Sequence, residues 1–95
     1  MKYILFETEC NGIVRHVPFI FPPEVPHVSM FNAVNDNEHF EHLRSLGYTV
    51  KLISAGDYDV VECKTSGRSS TLGLDSRPED GDTILKYVYF HGIQI

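Results

Sequence analysis

The sequence predicts an α+β domain: an antiparallel sheet of four or five strands with two or three helices packed mainly on one face. Three observations predict it. Tyr3-Ile4-Leu5-Phe6 is apolar at every position and leads into Asn11-Gly12, a hairpin turn signal. Residues 37–46 carry Phe40, Leu43 and Leu46 at helical spacing between an asparagine and a glycine. Ser76 stands three residues before Glu79, the spacing of a capping box.

Residues 2–8 form the first strand, apolar on both sides and therefore an interior strand covered on each face. Asn11 and Gly12 both tolerate positive φ, so the chain reverses into a partner strand over 13–21, with Val17, Phe19 and Phe21 on one face. Pro18 has no N–H to give to a ladder and marks an edge or a bulge. Pro22-Pro23-Glu24-Val25-Pro26 stops that strand. Residues 27–34 follow as a short helix with Val28, Phe31 and Val34 at three-residue spacing. Asn35-Asp36-Asn37 offers N-caps for the helix over 37–46, and Gly47 ends it.

A second hairpin is expected next. Its strands are 48–54 and 59–65, its turn Ala55-Gly56-Asp57-Tyr58, and Cys63 alternates with Val61 as a small buried hydrophobe. Residues 69–74 read as a shorter strand. The last helix opens after Ser76, with Pro78 in its first turn and Glu79, Asp80 and Asp82 at the positive end of its dipole. It is expected to reach about residue 89, with His91-Gly92 ending it and 93–95 as a tail. The run Tyr87-Val88-Tyr89-Phe90 also has strand composition, so 87–95 stays open between the two.

At 95 residues the chain is one domain spanning 1–95. Its apolar runs are short and its start lacks a secretion signal, so neither membrane nor export is expected. Thirteen acids against eight Lys and Arg give a charge of −5 with no basic face, which argues against direct nucleic-acid binding. Acidic mimicry of nucleic acid competes with a simpler reading, in which mild charge keeps a small protein soluble. Cys10 and Cys63 have no metal-type spacing and too few companions for a disulfide framework, which places the chain in a reducing cytoplasm.

No reactive set stands out. His39 and His42 share a helix face, and with His27 and Glu38 or Glu41 they offer metal ligands, but the HExxH form is absent and solvent-exposed histidines are the plainer reading. Ser66, Ser69 and Ser70 lie near Gly67 and Gly73 without a G-x-S-x-G elbow. Cys63 sits between Glu62 and Lys64, not in the electropositive setting a nucleophilic thiol needs. The acid pairs Asp57 with Asp59 and Glu79 with Asp80 are explained by a turn and a helix start. No enzyme activity, cofactor or metal is therefore expected.

The best binding candidate is the hydroxyl-rich turn 65–71, with Arg68, Ser69 and Ser70. Arg68 suits a bidentate contact with phosphate or carboxylate, and Arg77 adds a second charge beside the N–H groups of the last helix. A connection chosen only for turn geometry competes with this reading. Six Phe and five Tyr are many for the length. Tyr87, Tyr89 and Phe90 cannot all point inward from one helix, so a homo-oligomer is the economical expectation.

The run from Ser70 to Asp80, the Phe19-Ile20-Phe21-Pro22 segment and Ser54-Ala55-Gly56 together resemble a family of small uncharacterised phage and prophage proteins. The resemblance covers most of the chain and departs at 35–46 and 88–95. It implies a phage origin and carries over no catalytic or binding residue. By analogy with small phage proteins as a class, it implies an accessory protein in the host cytoplasm that binds a host protein stoichiometrically, such as a defence effector, and inhibits it. The alternatives are an oligomer that binds a phosphorylated small molecule such as a cyclic nucleotide, and a virion or morphogenesis component.

Overall fold

The computed structural model describes the backbone of residues 1–91 and the side chains of residues 1–88. The fold is α+β. Strands β1 (Lys2–Cys10), β2 (Ile13–Phe21), β3 (Thr49–Asp59) and β4 (Lys64–Ser66) form one antiparallel sheet in the order β2-β1-β3-β4. Strands β5 (Arg68–Ser69) and β6 (Leu74–Asp75) form a small separate hairpin. Helices α1 (His27–Val34) and α2 (Glu38–Ser45) connect β2 to β3, and α3 (Asp80–His91) follows β6.

The central position of β1 explains its unbroken apolar run. Tyr3 and Leu5 pack on one side with Ile20, Tyr58 and Ile84 of α3. Ile4 and Phe6 pack on the other with Phe21, Ala55 and Phe40 of α2. So α1 and α2 cover one face, and α3 lies across the other. Phe6 fixes the first layer, with its ring centroid 4.8 Å from that of Phe40, 5.8 Å from Phe19 and 6.0 Å from Phe31. Aromatic contacts of this kind add roughly 0.5–1.5 kcal/mol each beyond area burial.

The first hairpin turns at Asn11 and Gly12, both at positive φ. In a two-residue turn of this type the closing pair, here Cys10 and Ile13, exchanges both ladder bonds, and bonded pairs then alternate. Pro18 opposite Leu5 falls at a non-bonded pair on the outer strand, where its missing N–H costs no bond to β1. Both helices between β2 and β3 form as expected. Asn37 caps α2 by accepting the Phe40 N–H at 2.8 Å, and Gly47 leaves it at φ +93°. The buried edge of α1 is His27, with Met30, Phe31 and Val34 beside it, while Val28 and Leu46 face outward.

Four local expectations are corrected. Ala55-Gly56-Asp57-Tyr58 is not a turn but the interior of β3, and the reversal falls at residues 60–63. Gly56 is needed there for closeness: a Cβ would stand 2.6 Å from the Ser66 carbonyl oxygen. Cys63 is no strand residue; it sits in the turn at φ +58°, half-buried against the α3-side core, while Val61 projects into solvent at 87% exposure. Residues 69–74 are not one strand, because residues 70–73 turn the chain between β5 and β6. Ser76 and Glu79 form no capping box, since the Ser76 hydroxyl and N–H both go to the Gly67 carbonyl, at 2.8 and 3.1 Å. Over 87–91 the chain is helical. The expected terminator Gly92 and the 93–95 tail lie outside the described residues, as do the side chains of Tyr89, Phe90 and His91.

One irregularity sets which side chains reach α3. Leu5 pairs with Ser54 but Phe6 with Leu52, so Ile53 is an extra residue in β3. Val50 and Leu52 face α1 and α2, and Ile53 faces α3. After the bulge the phase reverses: Ser54 and Tyr58 face α3 while Ala55 joins the opposite core. Helix α3 then packs against turn backbone, because a Cβ on Gly81 would stand 2.5 Å from the Cys63 carbonyl oxygen. Gly81→Ala is therefore expected to destabilise the fold by about 1–3 kcal/mol despite alanine's better helix propensity. Urea unfolding measures it, and a stabilised variant would contradict this packing.

Candidate functional site

The four residues singled out from the sequence separate into two places. Arg68 and Ser70 line a concavity of about 230 Å³ together with Lys2, Pro26, His27, Asp57 and Thr71. Ser69 lies beside it but is buried, and its hydroxyl serves the β5–β6 hairpin by accepting the Leu72 N–H at 3.3 Å and meeting Thr71 Oγ1 at 3.4 Å. Arg77 is not part of the concavity. Its guanidinium is bound to Asp80 at the start of α3.

The concavity forms where sequence-distant segments meet. Lys2 opens β1, and its ammonium donates to the Val25 carbonyl at 3.1 Å. Asp57 sits opposite Lys2 in the ladder. His27 begins α1 and is buried; its Nε2 lies 2.9 Å from the Gly56 carbonyl oxygen, which only accepts, so Nε2 carries the proton. Arg68 is 60% exposed, and its ion pair with Asp75 is long at 3.7 Å. Such an exposed pair contributes little, which leaves the guanidinium free to take another acceptor. Lys2, His27 and Asp57 were not foreseen as site residues. The only available signal was that β1 and β3 are neighbours, and that requires the pairing to be known.

The other assembly is buried. Asp80 is fully enclosed, and its carboxylate accepts five hydrogen bonds. Oδ2 takes the Tyr3 hydroxyl and the Ser54 hydroxyl, both at 2.6 Å, and the Arg77 N–H at 3.3 Å. Oδ1 takes Arg77 Nε at 2.9 Å and its terminal nitrogen at 2.7 Å. The Arg77 N–H bond is no capping box either, because α3 begins only at Asp80: Pro78 and Glu79, expected in its first turn, belong to the turn before it. Burial alone would raise the Asp80 carboxyl, but the donors from Arg77, Ser54 and Tyr3 outweigh it and hold the group below its ordinary value. Burial pushes the Tyr3 phenol well up, and the Asp80 charge adds to that. Tyr58 is pushed up to about 12 by burial, with the Cys63 thiol beside it contributing.

The remaining candidates stay apart. His39 and His42 are exposed on α2, while His27 is committed to Gly56. No group of three or more His, Cys, Asp or Glu able to hold a metal occurs among the described residues. Cys10 and Cys63 are free thiols. Asp59 accepts the Val61 and Glu62 N–H groups at 2.9 and 3.1 Å, and these bonds lower its carboxyl. Among the described residues no helix is long and apolar enough to cross a membrane. The chain matches no family model, no curated protein and no solved structure.

The carboxylate cluster has a pH signature. Because Asp80 titrates lower in the fold than in the unfolded chain, its stabilisation is complete above about pH 4 and disappears as pH falls through the folded-state value. Tyr3 and Tyr58 titrate higher in the fold, so their contribution is complete below about pH 10 and declines above it. Asp80→Asn is expected to cost about 3–5 kcal/mol at neutral pH, and Tyr3→Phe about 1.5–3 kcal/mol. Denaturant unfolding across pH checks both, and an acid limb left unchanged by Asp80→Asn would contradict the assignment.

Proposed function

We propose that this chain is a phage-encoded accessory protein of the host cytoplasm that works by stoichiometric binding of a host protein, such as a defence effector, which it inhibits. The sequence resemblance supports the origin. The observation that carries the binding mode is an apolar projection: Val60 and Val61, 51% and 87% exposed, stand at the β3–β4 turn, where the Val61 and Glu62 N–H groups donate to Asp59. Backbone bonds already in place lessen the entropy such a turn loses on docking. Beside it a shallow groove of about 600 Å³ runs to Leu85, which is 45% exposed, with Glu62 and Asp82 among its lining residues. Lys64 also lines the groove, but Glu62 stands 3.8 Å from its ammonium. With a chain charge of −5, the partner surface this suits is an apolar pocket rimmed by basic groups.

Self-association belongs to the same reading. Strand β2 is an outer strand, and Ile13 and Val14 near its start are 58% and 48% exposed. Tyr87, one of three aromatics that cannot all point inward, is half-buried and lines a concavity with Val14, Val17 and His39.

In a capture experiment on host lysate, the wild-type chain is expected to retain a protein in equimolar amount, and Val61→Asp to weaken that retention about ten-fold or more without changing the melting temperature. Light scattering of the free chain is expected to give a multiple of 10.8 kDa. Equal retention by both variants, or none by either, contradicts the docking surface; a mass of one chain contradicts self-association.

A further inference from the structure

The concavity at the start of β1 has a charge pattern that selects a ligand class, and it shares no residue with the Val61 surface. We infer that it binds a sugar phosphodiester carrying a single negative charge, the chemistry of a cyclic mononucleotide, through Lys2, Arg68, Ser70 and Thr71, with Asp57 accepting from the sugar hydroxyl.

Two cations far apart in the sequence, Lys2 and Arg68, line the same space with two hydroxyls, Ser70 and Thr71. Arg68 keeps donors free because its contact with exposed Asp75 is long, at 3.7 Å. Lys2 donates to the Val25 carbonyl at 3.1 Å, and its ammonium has two further donors that no bond among the described residues uses. Pro26 and His27, also in the lining, begin α1, which has no side-chain cap and no acid in its first turn, so the helix dipole adds to the positive potential. The bond from His27 to Gly56 ties this wall to β3.

Asp57 decides between anions. Two cations against one carboxylate leave a net single positive charge in the lining; Asp75, 3.7 Å from Arg68, lies outside it, 79% exposed and screened by water. A phosphomonoester near neutral pH carries close to two negative charges, and the second would face Asp57 without compensation. A phosphodiester carries one and is balanced. Asp57 then has a role that a phosphate alone cannot fill, as acceptor for a hydroxyl donor on the same ligand. The volume of about 230 Å³ lies below the roughly 300–1,000 Å³ of sites that engulf drug-sized ligands, so it takes a phosphate and sugar ring and leaves a base partly in solvent.

Calorimetric titration with 3′,5′-cyclic AMP, 5′-AMP and adenosine tests this on the full chain. Cyclic AMP is expected to bind saturably, one per chain, with 5′-AMP about ten-fold weaker or more and adenosine showing no heat of binding. Arg68→Ala, at an exposed position, is expected to weaken cyclic AMP at least about ten-fold with an unchanged melting temperature. Asp57→Asn is expected to close the gap between 5′-AMP and cyclic AMP. Absence of saturable cyclic AMP binding, equal binding of adenosine, or unchanged affinity in Arg68→Ala would each overturn the inference. Loss of 5′-AMP discrimination in wild type would overturn the role of Asp57.

Discussion

The rest of the structure depends on one buried carboxylate. Asp80 opens α3 and sits out of water, where an unpaired charge would be costly enough to prevent folding. It is tolerated because its two oxygens are filled by donors from β1, β3 and the segment before α3. No buried side-chain nitrogen or oxygen among the described residues lacks a partner. Each donor in turn explains a feature of the sheet. Tyr3 on the central strand must face α3, and Ser54 reaches the same side only because Ile53 bulges and reverses the phase of β3. The close approach of Gly81 to Cys63 lets α3 come near enough for these bonds to close.

The cluster also places the surface features. Arg77 binds Asp80 with its side chain, and its carbonyl accepts the Thr65 hydroxyl at 2.6 Å. One residue earlier, Ser76 holds the Gly67 carbonyl, which precedes Arg68. The β5–β6 hairpin is thereby tied to the α3 junction, and its Arg68 is carried to the far side of the sheet edge beside Lys2 and Asp57. So a core interaction sets the position of an exposed arginine. It also pairs the second candidate arginine, Arg77, with a buried anion away from the concavity.

What was legible in the sequence was what neighbours in the chain decide. Asn11-Gly12, the Asn37 cap, the Gly47 stop and the unbroken apolar run of β1 are local signals, and each has its expected place. Gly56 was misread because a glycine beside an aspartate suggests a turn, whereas here it answers a strand backbone ten residues away. Ser76 was misread for the same reason: a nearby carbonyl at Gly67 won over the helix start. The bulge at Ile53 left no mark, since Leu52-Ile53-Ser54-Ala55 fits either phase. Of the candidate site, Arg68 and Ser70 were legible from residue type and turn composition. Lys2, His27 and Asp57 join them only through strand pairing and helix placement, which no local pattern encodes.

Asp80 is charged in the folded protein and stabilised there by five donor groups. Carbon-13 NMR of the Asp80 side-chain carboxyl, followed across acid pH while the fold persists, reads this directly. A carboxylate shift at neutral pH and a midpoint below that of an ordinary aspartate are expected. A midpoint at or above the ordinary value would mean that burial prevails over the hydrogen bonds, and would contradict a charged Asp80 joining this sheet to α3.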